Sequence, residues 1–449
     1  MHFTRRLLER RPPALERRPH ALFLLACLGA PIAVASCSSE SGVGEPRGDA
    51  DAGTDSSVGE PDGAPAEPVQ DAGSSFDGGP MPVACASSPC ATALVTTRGA
   101  SATDPAEGFC ALLDDGTVAC WGAGRAGQLG RGDSAGGDDS ATAERVVGLQ
   151  DIVSLDHTCA VDKASAVHCW GTGPFLQDAL VAKTTEHTPV KLPIPTATKI
   201  GVGADVGCAL IENGISCWGS NARGQIAPFE SASYSTVLQP RRVEVGDAEI
   251  RDLVVGDSSF AILMDGTVVS WGANPPLGRA SSLFPDPYPL PTALTGVTML
   301  DLANNNACST TGGVGYCWGV SVSSKAPALG RALPSPVAAP EPLVQIATTP
   351  ARDATTPPRW CATAASGNVY CWGNNESGQV GDGTQNHAYQ AVKVTGLPGP
   401  AALVRTTTNA TCALLTTGKV HCWGTNFYGQ LGNGKMREAS LVPHEVVLP

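Results

Sequence analysis

Seven times between residues 110 and 424 the chain spells a short apolar run, a turn of small or polar residues, a second short run, and Trp-Gly. The tryptophans are Trp121, Trp170, Trp218, Trp271, Trp318, Trp372 and Trp423, each about fifty residues from the next. Self-similarity at such a period marks a repeat architecture, in which one unit cannot bury its apolar surface alone and must stack on its neighbours. Each copy predicts a β-hairpin. In the last, CALLTTGKVHCWG (412–424), pairing Cys412 with Cys422 leaves Thr416-Thr417-Gly418 as a three-residue loop, with glycine where a left-handed conformation is needed. Two copies, Cys208 to Cys217 and Cys308 to Cys317, have a turn one residue shorter, and Gly312-Gly313 makes a two-residue corner in the second.

Cysteines at these positions face each other across an antiparallel pair, about 4.5 to 5.5 Å apart at Cα, which a disulfide accepts. The spacing predicts Cys110–Cys120, Cys159–Cys169, Cys208–Cys217, Cys308–Cys317, Cys361–Cys371 and Cys412–Cys422. The fourth copy has Phe260 and Ser270 instead, so both cysteines are lost together, as a covalent pair requires and a lone nucleophile or metal ligand does not. Setting aside Cys27 and Cys37 near the N-terminus leaves fourteen of the sixteen cysteines, and parity joins Cys85 to Cys90. Such a framework suits an oxidising compartment, each bridge contributing roughly 2 to 3 kcal/mol or less because it clips a local hairpin.

Cysteine and tryptophan are adjacent and so point to opposite faces of a strand, and Ala413-Leu414-Leu415 is apolar on both faces. Strands buried on both sides suit blades packed on blades, and with 52 glycines and 36 prolines for tight turns the expected fold is all-β, a seven-bladed β-propeller. An open solenoid is the alternative; it would usually have a shorter repeat and distinct capping ends. Closure is expected from the C-terminal run PHEVVLP pairing with a first blade opened by ATALVTT.

CATAASGNVYCWGNNESGQVGDG (361–383) resembles the regulator of chromosome condensation repeat, whose bacterial versions run Cys-Ala-Leu, turn, Cys-Trp-Gly-x-Asn-x-x-Gly-Gln-Leu-Gly-x-Gly. GRAGQLGRG (124–132), NARGQIA (221–227) and NFYGQLGNG (426–434) match as well, with Asn221, Asn374 and Asn426 in comparable turns, while repeats two, four and five lose the Gly-Gln pair. The resemblance covers residues 91–449 and implies the seven-bladed propeller. It also brings to mind the founding member's role, nucleotide exchange on a small nuclear GTPase, but an exported, disulfide-bonded, acidic chain does not meet that partner, and fold does not transmit function. Other secreted bacterial propellers resembling this family bind partner proteins, one group of them inhibiting β-lactamases.

The N-terminal part predicts an address and a tether. Six arginines within residues 5–18 precede the apolar stretch ALFLLACLGAPIAVAS (21–36), which is short for a membrane span and suits a signal-peptide core. It ends Val34-Ala35-Ser36-Cys37, which resembles the bacterial lipobox, so Cys37 is the expected lipid attachment site. Residues 38–84 hold ten acidic residues, one arginine and one aromatic, too little apolar surface to offset ordering. The expected organisation is thus a lipoprotein signal peptide at 1–36, a disordered tether at 37–84 and the propeller at 85–449. An outer-membrane or cell-surface lipoprotein is expected, with a periplasmic or secreted protein as the alternative.

With a formal net charge of −13, no basic docking patch for nucleic acid is expected. GAGRAG (122–127) satisfies G-x-G-x-x-G, yet neither a following helix nor a downstream acid is predicted, so it reads as a blade turn. His168 and His421 precede cysteines better explained by bridges, and the sequence predicts neither a metal site nor a cofactor, and no catalytic residues. Arg131-Gly132-Asp133 lies at a glycine-rich turn where such a tripeptide arises by chance. The longest departures from the repeat are 227–240 and 273–291, and Phe229, Tyr234, Phe284 and Tyr288 on them are the candidate anchors for a partner. The expected function is a monomeric, non-enzymatic, envelope-anchored propeller that binds a protein or an envelope polysaccharide through its end loops. The alternative is a glycan-acting propeller enzyme with acids lining the central channel.

Overall fold

In the last repeat Cys412 stands directly opposite Cys422, the hairpin turns through Thr416-Thr417-Gly418, and Gly418 takes a φ of +80°. The same opposition recurs in all six cysteine-bearing hairpins, with Cα atoms 4.0 to 4.1 Å apart and each pair at disulfide distance. Gly312 and Gly313 form the two-residue corner of the fifth, both with positive φ. The computed structural model describes residues 76, 78–101, 107–132, 137–178, 180–226, 228, 236–303, 306–319, 332–349 and 358–449. Cys37, Phe229 and Tyr234 lie outside the described residues, as does the stretch read as a signal peptide.

Each hairpin is flanked by one strand before and one after, giving seven antiparallel four-stranded sheets in simple up-and-down order. The first blade is β1 (Ala91–Thr96), β2 (Gly108–Leu113), β3 (Val118–Gly122) and β4 (Ser140–Arg145), and the last is β25 (Ala401–Thr406) to β28 (Ser440–Glu445). Seven apolar cores alternate with the seven blades. Adjacent residues serve different cores: Cys422 joins the one between blades seven and one, Trp423 the one between six and seven. This is the period-two geometry of a strand buried on both faces.

The Trp-Gly and Gly-Gln elements prove to be two halves of one clasp. The indole N–H of Trp170, Trp271, Trp423 and Trp121 donates to the backbone carbonyl of Gln128, Gln225, Gln379 and Gln430, each in the preceding blade, at 2.7 to 3.0 Å. Each Gln side chain folds back onto its own loop, accepting the N–H two residues earlier, as Gln430 Oε1 does from Tyr428 at 2.8 Å. Asn221, Asn375 and Asn426 accept from the backbone five residues on; in the sixth blade this is Asn375 and not Asn374. Repeats two and four, which lack Gly-Gln, keep the clasp through the carbonyls of Pro174 and Pro276, to which Trp218 and Trp318 donate at 2.6 Å. A third glycine completes it, Gly132 and Gly434 donating to His187 and Ala141 in the next blade. In six blades the glycine after the tryptophan sits at a β-bulge; a Cβ on Gly424 (φ +103°) would meet the Asn409 carbonyl at 2.4 Å.

Closure does not follow the expected strand exchange. The run containing ATALVT is β1, the inner strand of a first blade that already has four strands, and the run ending in PHE is the outer strand of its own blade, paired with β27 (Val420–Gly424). The seam between blades seven and one is closed as every other seam is: Trp121 reaches Gln430, Gly434 reaches Ala141, and Val446 and Leu448 pack with Leu94, Phe109 and Trp121. The packed part also begins before residue 85, since Val83 joins this core and Ala84 N donates to Thr416 O at 2.7 Å.

Trp271→Phe keeps a smaller aromatic ring but removes the indole N–H that donates to Gln225 O, and is expected to lower unfolding stability by about 1 to 3 kcal/mol in urea denaturation. Trp423→Phe is expected to cost less, because Gln379 O retains the Thr411 hydroxyl at 2.8 Å.

Candidate functional site

The up-and-down order sends the connections between first and second and between third and fourth strands of every blade to one end of the ring, and the tight hairpins and blade-to-blade links to the other. The first end carries the long connections, so it is the loop face; the second is the hairpin face.

The first strands of the blades wall a central channel of about 330 Å³, whose lining includes Arg98, Asp156, His157, Lys199, Asp252, Asp301 and Arg405. Most of these side chains bridge a seam. His157 turns one ring nitrogen to the Thr96 carbonyl (2.9 Å) in blade one, and Arg98 Nη2 stands 2.7 Å from the other. Arg98 has only N–H groups to offer, so His157 Nε2 accepts and Nδ1 carries the proton. Burial, reinforced by the Arg98 charge, pushes the imidazole down to about 4. Asp156 accepts the Val202 N–H (2.9 Å) in blade three, Asp301 the Thr348 N–H (2.8 Å) in blade six, and Arg405 Nε donates to Leu94 O (3.1 Å) in blade one. Gln345 bridges blade six to seven through both the N–H and the carbonyl of Val404 at 3.0 Å. Burial raises the Asp301 carboxyl, an effect opposed by Arg405. Asp156 and Asp301 thus hold neighbouring blades together through backbone amides.

Beside the channel, buried Glu107 accepts from the Thr407 hydroxyl (2.7 Å) and from the Asn409 backbone and side-chain N–H groups (both 2.9 Å), and burial raises its carboxyl. Arg359, also buried, donates to the carbonyls of Thr407 (2.7 Å) and Ala410 (3.0 Å), and desolvation lowers it to about 9. Sequence reasoning missed both, since each gains its partners from another blade.

On the loop face the fourth blade is distinctive. Where other blades have a disulfide, Ser270 meets Arg279, which donates to its hydroxyl (3.2 Å) and carbonyl (3.1 Å), and Phe260 packs edge-on against Trp318 of the next blade. Arg279 is buried and pairs with buried Asp286 at 2.7 Å; Asp286 also accepts from Ser281 Oγ (2.7 Å) and Tyr288 N (3.0 Å). A charge pair desolvated in this way fixes the 273–285 connection, and Phe284, near its end, is 75% exposed. Tyr288, on the outer strand, is 39% exposed. Two more long connections present apolar side chains on this face: Leu180 in blade two, and in blade seven Phe427, which packs on Tyr428 and lies under the Arg437 guanidinium at 5.4 Å.

The remaining motifs are structural. GAGRAG is the loop that clasps blade two, with Gly127 against Glu186. His168 pairs with Asp162 at 2.9 Å, and His421 is buried. Arg131 donates to the Cys120 (2.8 Å) and Thr142 (3.1 Å) carbonyls of its own blade, and Asp133 lies outside the described residues. Among the described residues no three His, Cys, Asp or Glu side chains converge as metal ligands do.

Comparison with known proteins agrees with this geometry. Residues 366–414 match the Regulator of chromosome condensation (RCC1) repeat, and residues 408–430 match a second form of the same repeat. The chain is 27% identical over 349 residues to the ultraviolet-B receptor UVR8 of Arabidopsis thaliana, covering 72% of this chain and 76% of the receptor. Prp20p from Saccharomyces cerevisiae superposes with a TM-score of 0.59 at 20% identity, over 75% of this chain and 87% of Prp20p. Human WBSCR16 follows at 0.55 and 19%, over 74% and 94%. The structural likenesses speak for the fold.

An unfolded histidine takes its proton at about pH 6.5, whereas folded His157 resists until about 4. Its contribution is therefore complete above pH 6.5 and lost progressively as the pH falls from 6.5 to 4, with a slope of at most about 1.4 kcal/mol per pH unit. Denaturation across that window is expected to show this slope in the native protein and a shallower one in His157→Asn.

Proposed function

We propose that this chain, a propeller of regulator of chromosome condensation repeats, is a non-enzymatic binding module held at the cell envelope by a lipid on Cys37, and that it engages a protein through its loop face. The observation that carries this reading is the set of exposed apolar side chains on that face, Leu180, Phe284 and Phe427, set on long connections of three different blades. Aromatic side chains dominate the energetics of protein interfaces. The Arg279–Asp286 pair orders the connection that presents Phe284, which lowers the entropy lost on binding. Prp20p, whose fold this propeller shares, was described together with its binding to Gsp1p and histones. Those partners are its own; what carries over is the use of such a propeller to recognise a protein.

The export reading rests on cysteine chemistry. Seven pairs at disulfide distance are consistent with an extracellular protein. A run with ten acidic residues and one arginine between Cys37 and the first blade is a self-repelling spacer that would hold the propeller off a surface.

The exported chain, immobilised and exposed to envelope and culture extracts of its source, is expected to retain a dominant protein, and Phe284→Ala with Phe427→Ala to lower that retention at least tenfold. Undiminished retention by the double variant would place the binding face elsewhere, and retention of a polysaccharide alone would replace the protein partner. Cys37→Ser is expected to move the protein from the membrane to the soluble fraction; unchanged fractionation would remove the anchor.

A further inference from the structure

Residues 76 and 78–90 belong to no blade, yet they cross the hairpin face of four. The ring of Phe76 lies over Gly313 of blade five, where an added Cβ would meet it at 3.0 Å with Pro342 alongside at 3.1 Å. Met81 stands in the same relation to Gly367 of blade six, its Sδ 3.1 Å from such a Cβ and Pro400 beside it. Cys90 covers Gly418 of blade seven, and Ala91 N donates to the Gly418 carbonyl at 2.9 Å. On blade one, Asp114 accepts the Cys90 N–H (3.1 Å) and the Ser88 hydroxyl, and its own N–H donates to Cys90 O at 2.9 Å. The segment thus follows the hairpin turns of blades five, six, seven and one in order, seating apolar side chains over the bare backbone of successive glycines. It crosses the seam where the two ends of the ring meet.

Its disulfide differs from the others. Cys85 is exposed, while Cys90 and eleven of the twelve cysteines in the blade hairpins are buried and the twelfth, Cys317, is half-buried.

We propose that residues 76 and 78–90 form a strap that reinforces the ring where no strand is shared, and that the Cys85–Cys90 disulfide is its reducible catch. The co-reactant is a dithiol reductant. One of its thiolates attacks the exposed Cys85 Sγ, the S–S bond breaks, and Cys90 leaves as a thiolate that takes a proton. The second thiolate then displaces Cys85, so two electrons pass to the protein, two cysteine thiols form and the reductant departs as its own disulfide. The Cys90 thiol stays near the Thr417 carbonyl, 3.9 Å away. The loop that presented Ser88 and Cys90 to Asp114 as one unit is now open, and the strap is held only by Phe76, Met81, Val83 and single hydrogen bonds. Its release bares the hairpin glycines of blades five and six.

The intact exported chain is titrated with dithiothreitol without denaturant, followed by differential alkylation with mass spectrometry and by amide hydrogen exchange. Cys85 and Cys90 are expected to label at a reductant concentration at least tenfold below that which opens any hairpin bridge, and exchange at Ala84 and Ala91 to rise at least tenfold while blade three stays unchanged. Labelling no earlier than the other pairs overturns the catch, and early labelling with unchanged exchange at Ala84 and Ala91 overturns the strap. Phe76→Ala with Met81→Ala leaves every disulfide in place and is expected to raise exchange at the same two amides without reductant; no rise overturns the strap as well.

Discussion

An indole N–H pointing at a backbone carbonyl of the preceding blade is the interaction on which this ring depends. A tryptophan buried on a blade face must place its one donor, and the blade before it offers a loop carbonyl within reach. Each satisfies the other, and the contact aligns blade to blade at a fixed angle. The glycines on either side follow from closeness: one lets the bulged strand pass the neighbouring turn, the others let the loop lie on the next blade's outer strand. Because the same clasp operates between blades seven and one, the ring closes without a strand from the other terminus.

The channel shows the same logic with charged groups. Side chains that would be costly to bury alone are held by backbone groups of the adjoining blade, so the wall is stitched at several seams by His157, Asp156, Asp301, Gln345 and Arg405. Variation is thereby left to the loop face, where connections differ in length while clasp and wall are kept. Blade four illustrates this freedom. Having exchanged its disulfide for an arginine–carboxylate pair, it supports a long connection and leaves Phe284 exposed.

The hairpins were legible because opposition of cysteines across a turn is a local matter of counting, and two residues lost together betray their pairing. Burial on both faces was equally legible from apolar runs bracketing adjacent cysteine and tryptophan. The clasp was only half legible. Gly-Gln marks it in four repeats, but the accepting group is a backbone carbonyl that any residue can supply, and Pro174 and Pro276 supply it where the motif is gone. Exposed aromatic side chains were legible at 284, on a long connection, and at 288, on the strand that follows it, while Phe427 was overlooked because its loop matches the repeat and carries no sign of unusual length.

The sequence by itself determined the number of blades, the register of each central hairpin and the chemistry of each seam's tryptophan, since all of these are set within a dozen residues. Where the chain is cut into blades, how the ring closes and where the packed part begins were decided only in three dimensions. Averaged over the acidic run before the first blade, Phe76, Met81 and Val83 are too few to signal order; they become a strap because glycines hundreds of residues away leave backbone bare along one line. Glu107 and Arg359 likewise acquire their roles from carbonyls and hydroxyls of other blades, and a burial cost met by distant partners cannot be read from neighbours in the chain.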